Sequence, residues 1–206
     1  MHKLTLTYFD FHGGRGEPAR LAMTIGGIEF EDRRIPLSEW PKVKSTTPLH
    51  AVPVLTVDGT EVTQSNTINR FVGKLAGLYP TDPWQAALCD EVMDAVEDVV
   101  SMIVTTFFIG EEDEKRAARE ALVIGPIPLY LERLASMLDE RGGQYFSDNR
   151  LAVADLKVFV WVRGLRSGNL DHVPQDLVDR KAPQLVAHHD RIAGDSAIKA
   201  YYEKHR

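Results

Sequence analysis

Residues 52–65 read VPVLTVDGTEVTQS, and this stretch predicts two short β-strands followed by the beginning of a helix. Val54–Val57 and Glu61–Thr63 form the strands, and Asp58-Gly59 between them is a dipeptide that favours a tight hairpin turn. Ser65 is a residue type that caps helices, and apolar residues follow it at helical spacing as far as Gly77. The stretch therefore predicts a ββα unit.

The sequence before this unit predicts a strand, a helix and a second strand. Leu4, Leu6 and Tyr8 alternate with polar residues, as expected for a half-buried strand. A helix begins near Pro18, and Phe30–Ile35 forms the next strand. Residues 1–79 therefore predict the order βαβ followed by ββα.

Beyond residue 80 the apolar residues keep a helical period. Pro80 and Pro83 predict a linker at residues 80–83, between a first domain at 1–79 and a second at 84–206. Apolar stripes run through Trp84–Phe108 and Leu129–Leu138, and Leu151–Leu165 is apolar enough for a buried central helix. We therefore predict an α/β domain followed by an all-α helical bundle.

Composition and charge exclude several classes of protein. The chain has 206 residues and a formal net charge of -6, without a basic run that would follow a nucleic-acid backbone. No apolar stretch approaches the roughly 20 residues that span a bilayer, and the amino terminus lacks a signal-peptide pattern. Cys89 is the one cysteine, which excludes an internal disulfide and a Cys-x-x-Cys pair. We expect a cytoplasmic protein without nucleic-acid or membrane partners, whose reactive thiol, if it uses one, arrives with a ligand.

The histidines and glycines do not predict a metal or phosphate site. His188 and His189 are adjacent rather than spaced i, i+4, and no other set of side chains has ligand spacing, so we predict no metal. Gly13-Gly14-Arg15-Gly16 lacks the spacing of a phosphate loop and predicts a flexible turn. Cys89 falls within an apolar helix, which favours a partly buried cysteine over a nucleophile.

The order of elements and several short motifs resemble the cytosolic glutathione transferases, and the sigma class in particular. The motifs are Thr7-Tyr8-Phe9, Arg15-Gly16-Glu17, Trp40-Pro41, Lys44-Ser45-Thr46, Val52-Pro53-Val54-Leu55 and Gln64-Ser65. The resemblance implies a thioredoxin-like first domain that binds glutathione and a helical second domain that contributes the electrophile site. It also implies a homodimer that uses reduced glutathione as a co-substrate and has no permanently bound cofactor.

The resemblance gives Tyr8 the catalytic role, in which its hydroxyl donates a hydrogen bond to the glutathione thiolate. A free thiol has a pKa of about 8.5, and a donor to its ionised form lowers that pKa. A tyrosine with an ordinary pKa of about 10 keeps its own proton near neutral pH. From the strand pattern alone, Tyr8 is more typical of an ordinary aromatic residue at the end of a strand.

The resemblance also implies that polar side chains hold both ends of glutathione. The γ-glutamyl end is assigned to Gln64 and Ser65, although helix capping alone also explains Ser65. The glycine end is assigned to Trp40 and Lys44, which lie one helical turn apart or close together in a loop. Without the resemblance, Lys44 is a solvated charge.

Three further assignments follow from the resemblance. Arg15 matches a basic residue after the tyrosine, in a loop one residue longer than the usual sigma pattern, and an ion pair with a nearby acid such as Glu17 is its alternative role. Val52-Pro53 matches a cis peptide bond whose neighbouring backbone pairs with the cysteinyl part of glutathione. Asp98, with Glu97 as the second choice, matches an acid that reaches the γ-glutamyl ammonium in the neighbouring subunit.

The leading functional hypothesis is transfer of glutathione to small hydrophobic electrophiles in a cleft between the domains. The walls of this cleft are assigned to Phe9, Phe11, Met102, Thr106 and Phe107. An apolar stripe at this spacing is also typical of a plain helix core. The resemblance leaves two alternative functions open, which are isomerisation of a prostaglandin endoperoxide by the same thiolate and a non-catalytic ligand-binding or structural role.

Overall fold

The structure is a computed structural model that describes residues 2–204. Its strands are β1 (Leu4–Phe9), β2 (Glu31–Ile35), β3 (Val54–Val57) and β4 (Thr60–Val62). Its α-helices are α1 (Glu17–Ile25), α2 (Trp40–Val43), α3 (Ser65–Leu75), α4 (Pro83–Thr105), α5 (Glu112–Ile124), α6 (Pro126–Glu140), α7 (Val153–Arg166), α8 (Leu177–Lys181), α9 (Pro183–Ala193) and α10 (Ser196–Lys204). Single-turn 3-10 helices occupy Leu37–Glu39, Lys44–Thr46, Pro48–His50 and Thr106–Phe108.

Strand β1 lies inside a four-stranded sheet whose order is β2-β1-β3-β4. It pairs in parallel with β2 and antiparallel with β3, and β3 pairs antiparallel with β4. The parallel pair requires a crossover, which α1 supplies, whereas β3 and β4 require only a tight turn. The predicted order βαβ followed by ββα is confirmed.

The hairpin between β3 and β4 forms at Asp58-Gly59, as the sequence predicts. Both residues have positive φ angles, 50° for Asp58 and 88° for Gly59, and Val57 pairs directly with Thr60. A two-residue turn of this kind leaves no spare residue between the strands. Strand β4 therefore begins at Thr60, one residue before the predicted start.

The second half of the chain is an all-α bundle built around α7, which confirms the predicted fold class. Every residue from 152 to 162 is buried. Helix α7 contacts α4 and α9 in the bundle and α1 beside the sheet. The helix therefore supports both halves of the molecule. Residues 80–83 remain our proposed boundary between the two domains, although Pro83 already begins α4.

The apolar stripe that predicted one helix over Trp84–Phe108 continues past the end of that helix. Helix α4 ends at Thr105, and a 3-10 turn follows it. Phe107 is 57% exposed and Phe108 is 84% exposed. Neither aromatic side chain therefore belongs to the core that the stripe predicted.

The expectation that no apolar stretch is long enough to span a bilayer is wrong for Glu112–Glu140. This segment contains an 18-residue window with a mean hydropathy of 1.3. Gly125, with φ of -109° and ψ of -95°, breaks it into α5 and α6. Ile127, Leu131 and Leu134 of α6 are buried in the bundle. Ile124 and Leu129 are 83% and 64% exposed, so the core accounts for only part of the apolar character of the segment.

Candidate functional site

Tyr8 is the next-to-last residue of β1, and its side chain is 5% exposed. The backbone N–H of Arg15 donates a hydrogen bond of 2.9 Å to the Tyr8 hydroxyl oxygen. Burial raises the pKa of Tyr8 above its ordinary value, so the phenol keeps its proton at neutral pH. The N–H of Arg15 occupies a lone pair of the oxygen and leaves the hydroxyl proton to be donated.

Two glycines in the loop after β1 pack directly against Tyr8. A Cβ atom added at Gly14 would overlap the Tyr8 hydroxyl, and one added at Gly16 would overlap the Tyr8 ring. Gly14 also has a φ of 65°, a conformation that side chains rarely adopt. Residues 14–16 form a turn, as predicted, and the glycines allow a close approach of backbone to Tyr8.

A buried arginine fixes the same loop. Arg20 and Glu17 are both 0% exposed, and Arg20 pairs with Glu17 at 3.2 Å and with Asp32 at 2.9 Å. Its guanidinium also donates to the carbonyl oxygens of Phe9 and Phe11, each at 3.1 Å. Arg20 was not predicted from the sequence, although a charged side chain between the apolar residues of α1 is a signal of a buried ion pair.

The Arg15 side chain forms an ion pair with an acid, as its alternative role predicts, but the partner is Glu97 on α4 rather than Glu17. Its Nε donates to Glu97 Oε1, and its Nη2 donates to Ser101 Oγ at 2.9 Å. Both acceptors lie on α4. The loop after Tyr8 is therefore attached to the helical domain by the side chain of the same residue whose backbone contacts Tyr8.

The Glu97 carboxylate is the centre of a polar cluster between the two domains. Besides Arg15, it accepts hydrogen bonds from Ser65 Oγ at 2.9 Å and from Lys157 Nζ at 2.6 Å. Burial raises the pKa of Glu97, but the cations Lys157 and Arg15 outweigh that effect and lower it to about 2. Glu97 is therefore ionised at neutral pH.

Lys157 is the least expected member of this cluster. It is 4% exposed, and its ammonium also donates to Asn66 Oδ1 on α3. Burial lowers the pKa of Lys157, and the nearby Glu97 carboxylate opposes that shift. The available signal was a lysine in an otherwise apolar helix, because lysine is seldom fully buried without a partner.

Ser65 lies at the start of α3 but does not cap it with its side chain. The N-cap residue is Gln64, which has a φ of 69° and makes no side-chain capping bond. The Ser65 hydroxyl donates to Glu97 instead. The predicted capping role of Ser65 is therefore wrong. The N-terminus of α3 has no side-chain cap, so its first N–H groups offer a favourable position for a carboxylate.

Trp40 and Lys44 lie one helical turn apart, as predicted. The backbone N–H of Lys44 donates to the Trp40 carbonyl across α2. The Trp40 ring meets Phe9 edge-on with 5.2 Å between ring centroids, and Lys44 is exposed. Among residues 2–204, no acid forms an ion pair with Lys44.

The Val52–Pro53 peptide bond is cis, as the resemblance implies. Pro53 is buried and Val52 is half-buried, immediately before β3. Asp98 is exposed on α4, and it lies outside the cluster that its neighbour Glu97 forms with Arg15 and Ser65.

The residues assigned to the electrophile cleft form two groups. Phe9 and Phe11 stack with 6.0 Å between centroids, next to Tyr8. Met102 and Thr106 line a separate cavity of about 400 Å³ between α4 and α5, and the other lining residues are Ser101, Thr105, Ala118 and Leu122.

Phe107 does not line this cavity, since its exposed ring packs under Arg119 at 5.0 Å. The Thr106 hydroxyl is held by hydrogen bonds to Ile103 and Arg119. Ser101, which accepts a hydrogen bond from Arg15, also lines this cavity.

Cys89 is fully buried rather than partly buried. Burial raises the pKa of its thiol to about 12. A thiol in this environment is neither ionised nor accessible, so Cys89 is not a nucleophile. In the part of the chain that the structure describes, no group of three or more His, Cys, Asp or Glu side chains is arranged to hold a metal ion.

Both halves of the chain match models of known protein families. Residues 4–74 match the family model described as the glutathione S-transferase N-terminal domain, and residues 97–205 match that of the C-terminal domain. The hematopoietic prostaglandin D synthase of Gallus gallus is 32% identical over 204 residues, covering 99% of this chain and 97% of that protein. Glutathione S-transferase S1 of Drosophila melanogaster is 32% identical, covering 98% and 79%.

Solved structures give the same result. The prostaglandin synthase D of Nilaparvata lugens superposes with a TM-score of 0.86 at 33% identity, covering 98% of each chain. The sigma class enzyme of Fasciola hepatica superposes with a TM-score of 0.84 at 27% identity, covering 100% of this chain and 97% of that one.

Proposed function

The chain belongs to the glutathione S-transferase family, and from that premise we propose that it transfers the thiolate of reduced glutathione to small hydrophobic electrophiles. The observation that carries the proposal is the Tyr8 hydroxyl, which is buried, keeps its proton and is fixed by the Arg15 N–H. A proton donor held in this way stabilises a thiolate more than a thiol, and it therefore lowers the pKa of the bound sulfur.

The rest of glutathione lies across the first domain in this proposal. The γ-glutamyl carboxylate binds at the N-terminus of α3, beside Gln64 and Ser65, where backbone N–H groups and the helix dipole favour an anion. The cysteinyl backbone pairs next to the cis bond of Val52–Pro53. Trp40 and the exposed Lys44 bind the glycine carboxylate, with the indole N–H and the ammonium as donors.

Arg15 takes an indirect part. Its backbone N–H positions the Tyr8 hydroxyl, while its side chain is held by Glu97 and Ser101. The electrophile binds near Phe9 and Phe11 and along the cavity lined by Met102 and Thr106, whereas Phe107 contributes from outside that cavity. Sulfur attack then takes place between the two domains.

We further propose that the protein is a cytoplasmic homodimer with no permanently bound cofactor. The exposed position of Asp98 on α4 supports a role in the dimer, where its carboxylate reaches the γ-glutamyl ammonium bound in the neighbouring subunit. Asp98→Asn raises the KM for glutathione in this account, and it has no such effect if the protein works as a monomer.

A second candidate function is isomerisation of a prostaglandin endoperoxide with glutathione. It is favoured by the similarity to two proteins named prostaglandin D synthase and prostaglandin synthase D, at 32% and 33% identity. Both reactions use the glutathione thiolate that Tyr8 stabilises, and they differ in the substrate that the cleft accepts.

The test is the rate of glutathione conjugation to an activated chloronitrobenzene, measured beside isomerisation of a prostaglandin endoperoxide with the same preparation. Conjugation that saturates with glutathione supports the transferase. Turnover of the endoperoxide alone selects the isomerase. Glutathione binding without either reaction contradicts both and favours a ligand-binding role.

A further inference from the structure

The glutathione site proposed above gives no role to the buried ammonium group of Lys157. Lys157 lies on α7 in the core of the helical bundle, where all residues from 152 to 162 are buried. A buried cation is costly unless it is paired and hydrogen-bonded. The two acceptors of Lys157 are Asn66 and Glu97, and both lie where the two domains meet.

We propose that Lys157 is a positioning residue for glutathione, because it holds the Glu97 carboxylate that in turn holds Arg15 and Ser65. This inference rests on the proposed function, since it concerns the same site. Glu97 Oε2 accepts from both Lys157 and Ser65, at 2.6 Å and 2.9 Å, and Oε1 accepts from Arg15. The carboxylate thus accepts hydrogen bonds from three parts of the chain, which are the loop after β1, α3 and the buried helix α7.

The charges around the cluster balance while Lys157 is present. Arg15 and Lys157 pair with Glu97, and Arg70 pairs with Asp90 at 2.8 Å and with Asp94 at 3.3 Å. Removing Lys157 leaves one negative charge in excess near the start of α3, where the γ-glutamyl carboxylate binds in our proposal.

Within residues 2–204, Lys157 makes no hydrogen bond to Tyr8 or Arg15, and it acts on the loop after β1 through Glu97. The Tyr8 hydroxyl is held by the backbone of Arg15, and the Tyr8 ring by Gly16 and Arg20. Loss of Lys157 therefore weakens glutathione binding while Tyr8 still stabilises the bound thiolate. A residue that served stability alone would change the melting temperature without changing KM.

The experiment compares native protein with Lys157→Met and Lys157→Gln in conjugation kinetics at varied glutathione. We expect KM for glutathione to rise about tenfold in Lys157→Met, as for the loss of one hydrogen bond to a charged group. We expect kcat and the apparent pKa of the bound thiol to stay within about twofold and about 0.3 units of native. Lys157→Gln, which keeps a donor but loses the charge, gives a smaller rise.

Two controls test whether the effect of Lys157 is specific to this site and whether it acts through Glu97. Arg166→Met removes a cation from the far end of α7, where Arg166 pairs with Asp179, and it leaves KM unchanged. In a Glu97→Gln background, Lys157→Met adds no further rise in KM, because the two residues act through one contact.

Native KM in both Lys157 variants overturns the proposal, as does a fall in kcat at unchanged KM. If neither variant folds, Lys157 belongs to folding and the proposal is also wrong. If the native protein binds no glutathione, the proposed function is wrong as well. If the native protein conjugates glutathione and the Lys157 variants have the native KM, only the role of Lys157 is wrong.

Discussion

The Arg15 backbone N–H lies 2.9 Å from the Tyr8 hydroxyl oxygen, and this one contact joins the end of β1 to the loop that follows it. The donor fixes where the oxygen lies and which way its proton can point. The Arg15 side chain meanwhile pairs with Glu97 on α4. The position of the proposed catalytic hydroxyl is therefore set by a residue that both domains hold.

The close approach of Gly16 to Tyr8 predicts that even one methyl group there disrupts the site. In Gly16→Ala the new Cβ would overlap the Tyr8 ring, so the ring must move. We expect kcat to fall about a hundredfold through misplacement of the hydroxyl and stability to fall by about 1–3 kcal/mol through overpacking. Steady-state kinetics and chemical denaturation measure both.

The matched control is Gly164→Ala in α7, where an added Cβ meets nothing within 4 Å. This variant is expected to keep full activity and to gain a few tenths of a kcal/mol from higher helix propensity. Native kinetics in Gly16→Ala would show that Tyr8 is not held as tightly as the packing indicates.

The exposed ammonium of Lys44 predicts an effect on binding without an effect on stability. Lys44→Met removes a donor to the glycine carboxylate, and we expect KM for glutathione to rise roughly three- to tenfold. Its free energy of unfolding changes by less than about 0.5 kcal/mol, as is usual for surface substitutions. Lys42→Met changes the exposed lysine two residues earlier and serves as the control. An equal rise in KM in both variants would indicate a general loss of positive charge.

The low pKa of Glu97 predicts a pH dependence of folding. Burial raises this pKa, but Lys157 and Arg15 lower it from 4.5 to about 2 in the folded protein. The unfolded chain then binds more protons between these values, so the contribution of Glu97 is full above pH 4.5 and is lost as the pH falls toward 2.

We expect Glu97→Gln to lower the free energy of unfolding at neutral pH by about 2–3 kcal/mol, a value that allows for the partial exposure of the pair. The difference from native shrinks as the pH falls toward about 2. Denaturation curves over a pH series measure this, with Glu120→Gln on α5 as the control at an exposed acid. A difference that stays constant with pH would contradict the assignment of the low pKa to Glu97.

The sheet was predictable from the sequence because its signals are local. The alternation of Leu4, Leu6 and Tyr8 and the Asp58-Gly59 turn each act over a few residues, and the structure differs from those predictions only by a residue at the strand ends. Tyr8 and the cis bond of Val52–Pro53 were found through the resemblance, since neither strand pattern nor composition distinguishes them.

The polar cluster around Glu97 was not predictable in the same way. Arg15 and Glu97 are 82 residues apart, and Glu97 and Lys157 are 60 apart. A buried charge depends on partners that only the tertiary structure brings together. Glu97 and Asp98 show the same difficulty, because neighbouring acids on a helix face different directions and the sequence does not say which one enters the cluster.

The most direct test of the central claim is the pH dependence of glutathione conjugation for native protein and Tyr8→Phe, with glutathione binding measured in parallel. Tyr8→Phe keeps the ring and removes the hydroxyl. We predict that it binds glutathione like native, that its kcat at neutral pH falls about a hundredfold or more, and that its apparent thiol pKa moves up toward the free value of about 8.5. Native kcat and native thiol pKa in Tyr8→Phe would show that another group stabilises the thiolate and would contradict the role of Tyr8.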